Sequence, residues 1–171
     1  WEHEIRKFAP DLTIRSVVGN AGEREEILRE ACAAPGGTSV FITSYDLLKR
    51  DVEQYGELHF RFQIIDEAQY IKNAATQSAR AVKAVNAGTR FALTGTPVEN
   101  RLGELWSIFD FLMPGMLGSY AHFRERFEMP VLSGDETAQK KLQSFVGPFI
   151  LRRLKSQVLK DLPDKIENVI T

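Results

Sequence analysis

Short apolar runs alternate with amphipathic stretches along the first two thirds of the chain. The run "IRSVVG" (14–19) predicts a strand closed by the turn residues Gly19-Asn20. "EREEILREACAA" (23–34) is rich in helix formers and stops at Pro35-Gly36-Gly37. "SVFITSY" (39–45) predicts a second strand, and "DLLKRDVEQYGEL" (46–58) begins as a helix that ends near Gly56. "RFQIID" (61–66) reads as a third strand, apolar enough for burial on both faces. "ATQSARAVKAVNAG" (75–88) predicts an alanine-rich helix with Gly88 as its C-terminal cap, and "TRFALTG" (89–95) a fourth strand. In "NRLGELWSIFDFLMPG" (100–115), Leu102, Leu105, Trp106, Phe109 and Leu112 fall on one helical face, and Pro114 ends the helix.

Strands alternating with helices at this spacing imply βαβ units, hence an α/β fold with a parallel sheet flanked by helices. Ligands in such folds bind beyond the carboxyl ends of the strands. Two strands end in unusual sequences, "DEAQ" after the third and "TGTP" after the fourth. From Met116 the pattern changes: "SYAHFRERF" (119–127), "DETAQKKLQSF" (135–145) and "LRRLKSQVLKDL" (151–162) predict helices, and "KIENVIT" (165–171) a returning strand.

Composition narrows the function classes. The 171 residues are 43% hydrophobic and 26% charged, ordinary for a globular protein with a real core. No apolar run approaches a membrane span, since "FDFLMPGML" is broken by Asp110 and Pro114. The chain begins at Trp1, as a piece of a longer protein would, and shows no signal peptide. The single Cys32 excludes an internal disulfide and a cysteine zinc site, consistent with a cytoplasmic setting. Net charge is −1, so the protein is not globally basic. The stretch from Lys140 to Lys165 nonetheless gathers Lys140, Lys141, Arg152, Arg153, Lys155, Lys160 and Lys165 against Asp161 and Asp164, enough for a local basic face.

The chemistry concentrates at "FQIIDEAQYIKN" (62–73), where a strand delivers Asp66 and Glu67 to its carboxyl end. Asp66 can hold Mg²⁺, a hard ion that prefers carboxylate and water oxygens. Glu67 can orient or deprotonate a water beside a terminal phosphate. The competing reading is a helix or turn cap. Thr94 and Thr96 are hydroxyl donors on a turn stiffened by Gly95 and Pro97; that turn can also be plain threonine capping. Arg152 and Arg153 are equally a phosphate fork or a solvated helix face.

The phrases "IIDEAQYIKN" and "FALTGTPVENRLGELWSIFDFLMPG" closely resemble motifs II and III of the Snf2 family of superfamily 2 helicase-like, DNA-dependent ATPases. "PFILRRLKSQVLKDLPDK" (148–165) resembles that family's "LRR…K…LP…K" segment, "VFITSYDLLKRD" (40–51) its motif Ib region, and "WEHEIRKFAPDL" the stretch after motif Ia. The resemblance covers nearly the whole chain in the family's order. Gln69 stands where many relatives carry His, as in bacterial members.

The resemblance implies a RecA-like, P-loop NTPase fold: residues 1–115 as part of the first lobe, 116–162 as a helical protrusion and 163–171 as a strand returning to the lobe. It implies that Asp66 assists Mg²⁺ through water, that Glu67 activates water, and that Gln69 links motifs II and III. It assigns Thr94, Gly95 and Thr96 to the motif III loop that couples nucleotide to DNA. It places Thr43, Ser44 and Tyr45, with Arg152 and Arg153, near the nucleic acid. The implied parent is an ATP-hydrolysing translocase on double-stranded DNA, acting on a nucleoprotein complex or on RNA polymerase, in the bacterial cytoplasm with the nucleoid.

A phosphate cradle of the form G-x-x-x-x-G-K-[ST] is not found in these residues; "PGGTSVF" has glycines but no lysine and leads into a strand. The stretch alone is therefore expected neither to grip ATP nor to hydrolyse it. Two other readings stand beside the motor: a non-catalytic docking module that keeps the fold, and another superfamily 2 helicase of the DEAD-box-like RNA type.

Overall fold

The structure, a computed structural model, describes residues 1–33, 38–95 and 102–153. It divides into two compact units, Trp1–Arg124 and Glu125–Thr171. The first helix of the stretch from Met116 lies within the first unit; the strand expected at 163–171 lies outside the described residues.

In the first unit, helix α1 (Glu2–Phe8) leads to β1 (Thr13–Ser16), α2 (Ala21–Ala33) and β2 (Ser39–Ile42). Then come α3 (Tyr45–Arg50), α4 (Val52–Gly56) and β3 (His59–Ile65), followed by a 3-10 turn at Ala68–Ile71. Helix α5 (Gln77–Ala84), β4 (Asn86–Ala92), α6 (Leu102–Leu112) and α7 (Tyr120–Phe123) complete it. The strands form two parallel pairs, β1 with β2 and β3 with β4. The expected α/β class is observed, with the four described strands in two pairs.

Capping decides several boundaries. Asn20 and Glu23 form a reciprocal box: Glu23 N–H donates to Asn20 Oδ1 at 3.1 Å, and Asn20 N–H to Glu23 Oε2 at 2.8 Å, so α2 starts ahead of the predicted Glu23. Ser44 Oγ accepts from Leu47 N at 3.3 Å and starts α3. That cap ends the second strand at Ile42, so Thr43 to Tyr45 are loop and helix start, not the strand their apolar neighbours predicted.

Gly88 is likewise not a helix cap but a residue of β4. The end of α5 is served instead by Arg90. Its guanidinium donates to the carbonyls of Lys83 and Val85 at 3.3 and 2.9 Å, and to Phe111 O at the end of α6 at 3.0 Å. A cation at two helix C-termini is favoured by both dipoles. Lys83 adds an ion pair to Asp110 of 2.6 Å, tying α5 to α6.

The core gathers Val17, Leu28, Leu48, Ile65, Ala68, Ile71, Val82 and Phe111. A fully buried Phe such as Phe111 contributes roughly 1.5–3 kcal/mol. The third strand is not buried on both faces as its sequence predicted. Ile65 is buried, and Gln63, half-buried, donates to Val82 O of α5, whereas Phe62 and Ile64 are exposed on the other face beside Phe91. The helices that follow β3 and β4 in sequence cover one face of this pair, and parallel register puts Ile64 opposite Phe91 on the other.

In the second unit, α8 (Met129–Leu132) precedes α9 (Glu136–Val146), which Asp135 caps through Thr137 N and Ala138 N. The buried residues Ala138, Leu142 and Val146 recur every four positions on one stripe of that helix. No described helix is long and apolar enough to cross a membrane.

Candidate functional site

The carboxyl ends of β3 and β4 lie side by side. Leu93 N donates to Ile65 O at 2.9 Å, and Ala68 N donates to Leu93 O at 2.8 Å. Between those bonds the chain passes through Asp66 and Glu67, both exposed. Beyond them the 3-10 turn drives Ala68 and Ile71 into the core, and Ser107 Oγ of α6 donates to Ile71 O at 2.6 Å. The acids are thus displayed on a turn anchored at both ends.

Glu67 adopts φ 51° and ψ 53°, the non-glycine residue with a left-handed backbone among those described. Such a conformation costs about 1–2 kcal/mol in an L-residue and recurs at functional sites, where surrounding bonds hold it. The bonds here are specific. Asp66 Oδ1 accepts from Glu67 N at 2.9 Å. Tyr45 hydroxyl donates to Asp66 O at 2.8 Å. Glu67 O accepts from Tyr70 N at 3.0 Å.

The side chains form a polar chain. Gln69 Nε2 donates to Glu67 Oε2 at 2.7 Å, and Thr94 Oγ donates to Gln69 Oε1 at 2.9 Å. Gln69 therefore bridges the end of β3 to the loop after β4 through both ends of its amide. Trp1 Nε1 donates to Asp66 Oδ2 at 2.8 Å. The donors reaching Asp66 and Glu67 in these bonds are all neutral. Each oxygen retains lone-pair capacity beyond these bonds. An exposed carboxylate so held fits a Mg²⁺ ion that takes one protein ligand, waters and substrate phosphates. Among the described residues no group of three or more His, Cys, Asp or Glu could hold a metal by itself.

The other sequence-predicted residues separate into three groups. Thr43 and Ser44 lie on the loop after β2; Thr43 Oγ donates to Val17 O at 3.3 Å, and Ser44 Oγ accepts from Leu47 N, which leaves its own proton for another acceptor. Tyr45 belongs with the acids, its hydroxyl committed to Asp66 O and its ring 5.4 Å from that of Tyr70. Burial first, then the charges of Asp66 and Glu67 and the neighbouring Tyr70, push the Tyr45 phenol up to about 12, so it remains a donor at neutral pH. Arg152 and Arg153 are exposed, non-helical and in the second unit. Gly95 follows Thr94 on the loop after β4, and Thr96 lies outside the described residues.

Sequence reading missed Trp1. Its indole reaches Asp66 across 65 positions, and no local pattern signals that contact.

The model of the SNF2-related domain matches residues 1–171. The putative ATP-dependent helicase/translocase YwqA of Bacillus subtilis is 41% identical over 98% of this chain and 18% of its own length. The TATA-binding protein-associated factor mot1 of Schizosaccharomyces pombe is 37% identical over 97% of this chain and 9% of its own length. Among solved structures, the Sulfolobus solfataricus SWI2/SNF2 ATPase core in complex with dsDNA superposes with a TM-score of 0.81 at 42% identity, covering 98% of this chain and 34% of that one. The chain thus spans less than a fifth of these two curated relatives and about a third of the solved core.

Proposed function

The chain belongs to the SNF2-related domain family, and from that premise we propose that it forms part of the ATPase motor of a longer protein that moves along double-stranded DNA. The observation that carries this reading is the exposed Asp66-Glu67 pair, displayed at a strand end and tied through Gln69 to Thr94. A decayed docking module has no folding need for two adjacent acids with neutral partners there.

Asp66 would hold Mg²⁺ through water. That ion, when bound, neutralises charge on the phosphates. Glu67, held in a left-handed backbone conformation, orients the attacking water and takes its proton. Gln69 holds Glu67 Oε2 in place and relates it to the loop carrying Thr94, Gly95 and Thr96, the part that would register DNA. Ser44, with a hydroxyl proton available, and Thr43 approach the DNA backbone, and Arg152 and Arg153 add phosphate contacts. The relatives' names support ATP-dependent work on DNA and protein–DNA assemblies as the setting.

The test is ATP hydrolysis by the full-length protein, with and without double-stranded DNA, beside Glu67→Gln. DNA-stimulated turnover that the variant loses is expected, with no turnover from the 171-residue stretch by itself. No turnover from the full-length protein with DNA would replace the motor by a docking module.

A further inference from the structure

A left-handed Glu67 must be held by the peptide planes on either side of it. The plane before it, between Asp66 and Glu67, is gripped at both poles. Its N–H donates to Asp66 Oδ1 at 2.9 Å, and its carbonyl accepts the Tyr45 hydroxyl at 2.8 Å. Rotating that plane changes Glu67 φ together with Asp66 ψ, so a bond that fixes the carbonyl direction fixes where the Glu67 side chain starts.

The plane after Glu67 is held by Ala68 N on Leu93 O and by Tyr70 N on Glu67 O, the latter within the same turn. Of these holds, the Asp66 Oδ1 bond is local and exposed, and the Leu93 bond belongs to the strand pair. The Tyr45 bond alone among the four comes from the element after β2. Tyr45 is half-buried, and its ring is braced by Tyr70, which follows the acids in the same turn. It is the first residue of α3, directly after the Ser44 cap.

We propose that Tyr45 is a positioning residue for Glu67: its hydroxyl fixes the Asp66–Glu67 peptide and thereby the aim of the Glu67 carboxylate, joining the Thr43-Ser44 loop to the acids. The inference rests on the proposed hydrolytic role of Glu67. It assigns the Tyr45 hydroxyl to the protein backbone, whereas the family resemblance implies a place for Tyr45 near nucleic acid. A displacement of the loop after β2 is then felt at the acids through one hydrogen bond.

The test is Tyr45→Phe in the full-length protein, which keeps the ring and its Tyr70 contact and removes the hydroxyl. At saturating ATP and DNA, kcat should fall roughly three- to tenfold, the worth of one hydrogen bond, while DNA affinity, KM for ATP and melting temperature stay unchanged. In the Glu67→Gln background, single-turnover hydrolysis should show no further loss from Tyr45→Phe, because the residue acts through Glu67. Weakened DNA affinity, an unchanged kcat, or a full additional loss in the Glu67→Gln background would each overturn the assignment. Failure of the proposed function is separate: it shows in the unsubstituted protein, as the absence of DNA-stimulated turnover.

Discussion

Asp51 and Asp66 are both aspartates at the ends of elements, and the structure treats them oppositely. Asp51, between α3 and α4, is buried, and Arg24 of α2 grips it with two parallel bonds, Nε to Oδ2 at 2.6 Å and Nη2 to Oδ1 at 2.7 Å. The same guanidinium donates to Gly19 O at 2.7 Å, which ties the turn after β1 to the α3–α4 junction. Hydrogen bonding to Asp51 raises the Arg24 guanidinium above its ordinary range. Asp66 is exposed and held by an indole and a backbone N–H. An acid locked to a cation away from water is used up in building the fold. An acid oriented by neutral donors at the surface stays open to solvent and to a ligand. The same residue type thus builds structure in one place and displays chemistry in the other, and the partner's charge makes the difference.

Substitution should separate the two sites. The largest effect is expected from Asp66→Asn in the full-length protein, with turnover falling by orders of magnitude and the melting curve unmoved. A melting loss as large as that of the Asp51 variant would make Asp66 a structural cap and erase the contrast. Asp51→Asn should do the reverse: it leaves the buried Arg24 facing a neutral amide and should shift the folding equilibrium by roughly tenfold or more, read by urea denaturation. Gln69→Ala removes the bridge between Glu67 and Thr94 and should lower DNA-stimulated turnover several-fold without changing stability. Unchanged kinetics would show that the Thr94 loop does not act through this amide.

The smallest expected effect lies far from both acids. Hydrogen bonds from Arg6 first, and then from Ser16, hold the Glu2 carboxyl below its ordinary range at 2.6 and 2.8 Å. A depressed carboxylate stabilises the fold above its unfolded value, and that contribution disappears as pH falls through its lowered folded value. Glu2→Gln should therefore lower the urea midpoint slightly at pH 7, and the gap from the unsubstituted protein should close in strong acid. A gap that persists in acid would assign the effect to packing of α1 and not to charge. Because nearly half of the Glu2 side chain is open to solvent, the effect is small.

Much of the site was legible along the chain. Asp66 and Glu67 are adjacent after an apolar run, and "DEAQ" and Thr94 follow two strand ends, so the meeting of Gln69 with Thr94 follows from parallel pairing. The link from Gln69 to Thr94, named on resemblance, now has a geometry, with both ends of the amide used. Less legible were the boundaries. Val85 and Gly88 read as the end of a helix, yet Arg90 satisfies the α5 carbonyls from within β4 and lets the strand begin at Asn86. Tyr45 read as the end of a strand near DNA, and a serine cap turned it into a helix residue that points at the acids.

The sequence by itself determined the alternation of strands and helices, the α/β class, the family and the two acids, because those depend on local periodicity and on adjacent residues. Only the tertiary structure decided which acid is quenched and which is displayed, which face of β3 is covered, and what holds Glu67 in its left-handed turn. Those outcomes depend on partners distant in sequence: Arg24 lies 27 positions from Asp51, Tyr45 21 from Asp66, and Trp1 65 from Asp66. A hydrogen bond or ion pair between such groups exists only once the chain has closed the loop between them, so no local pattern carries it.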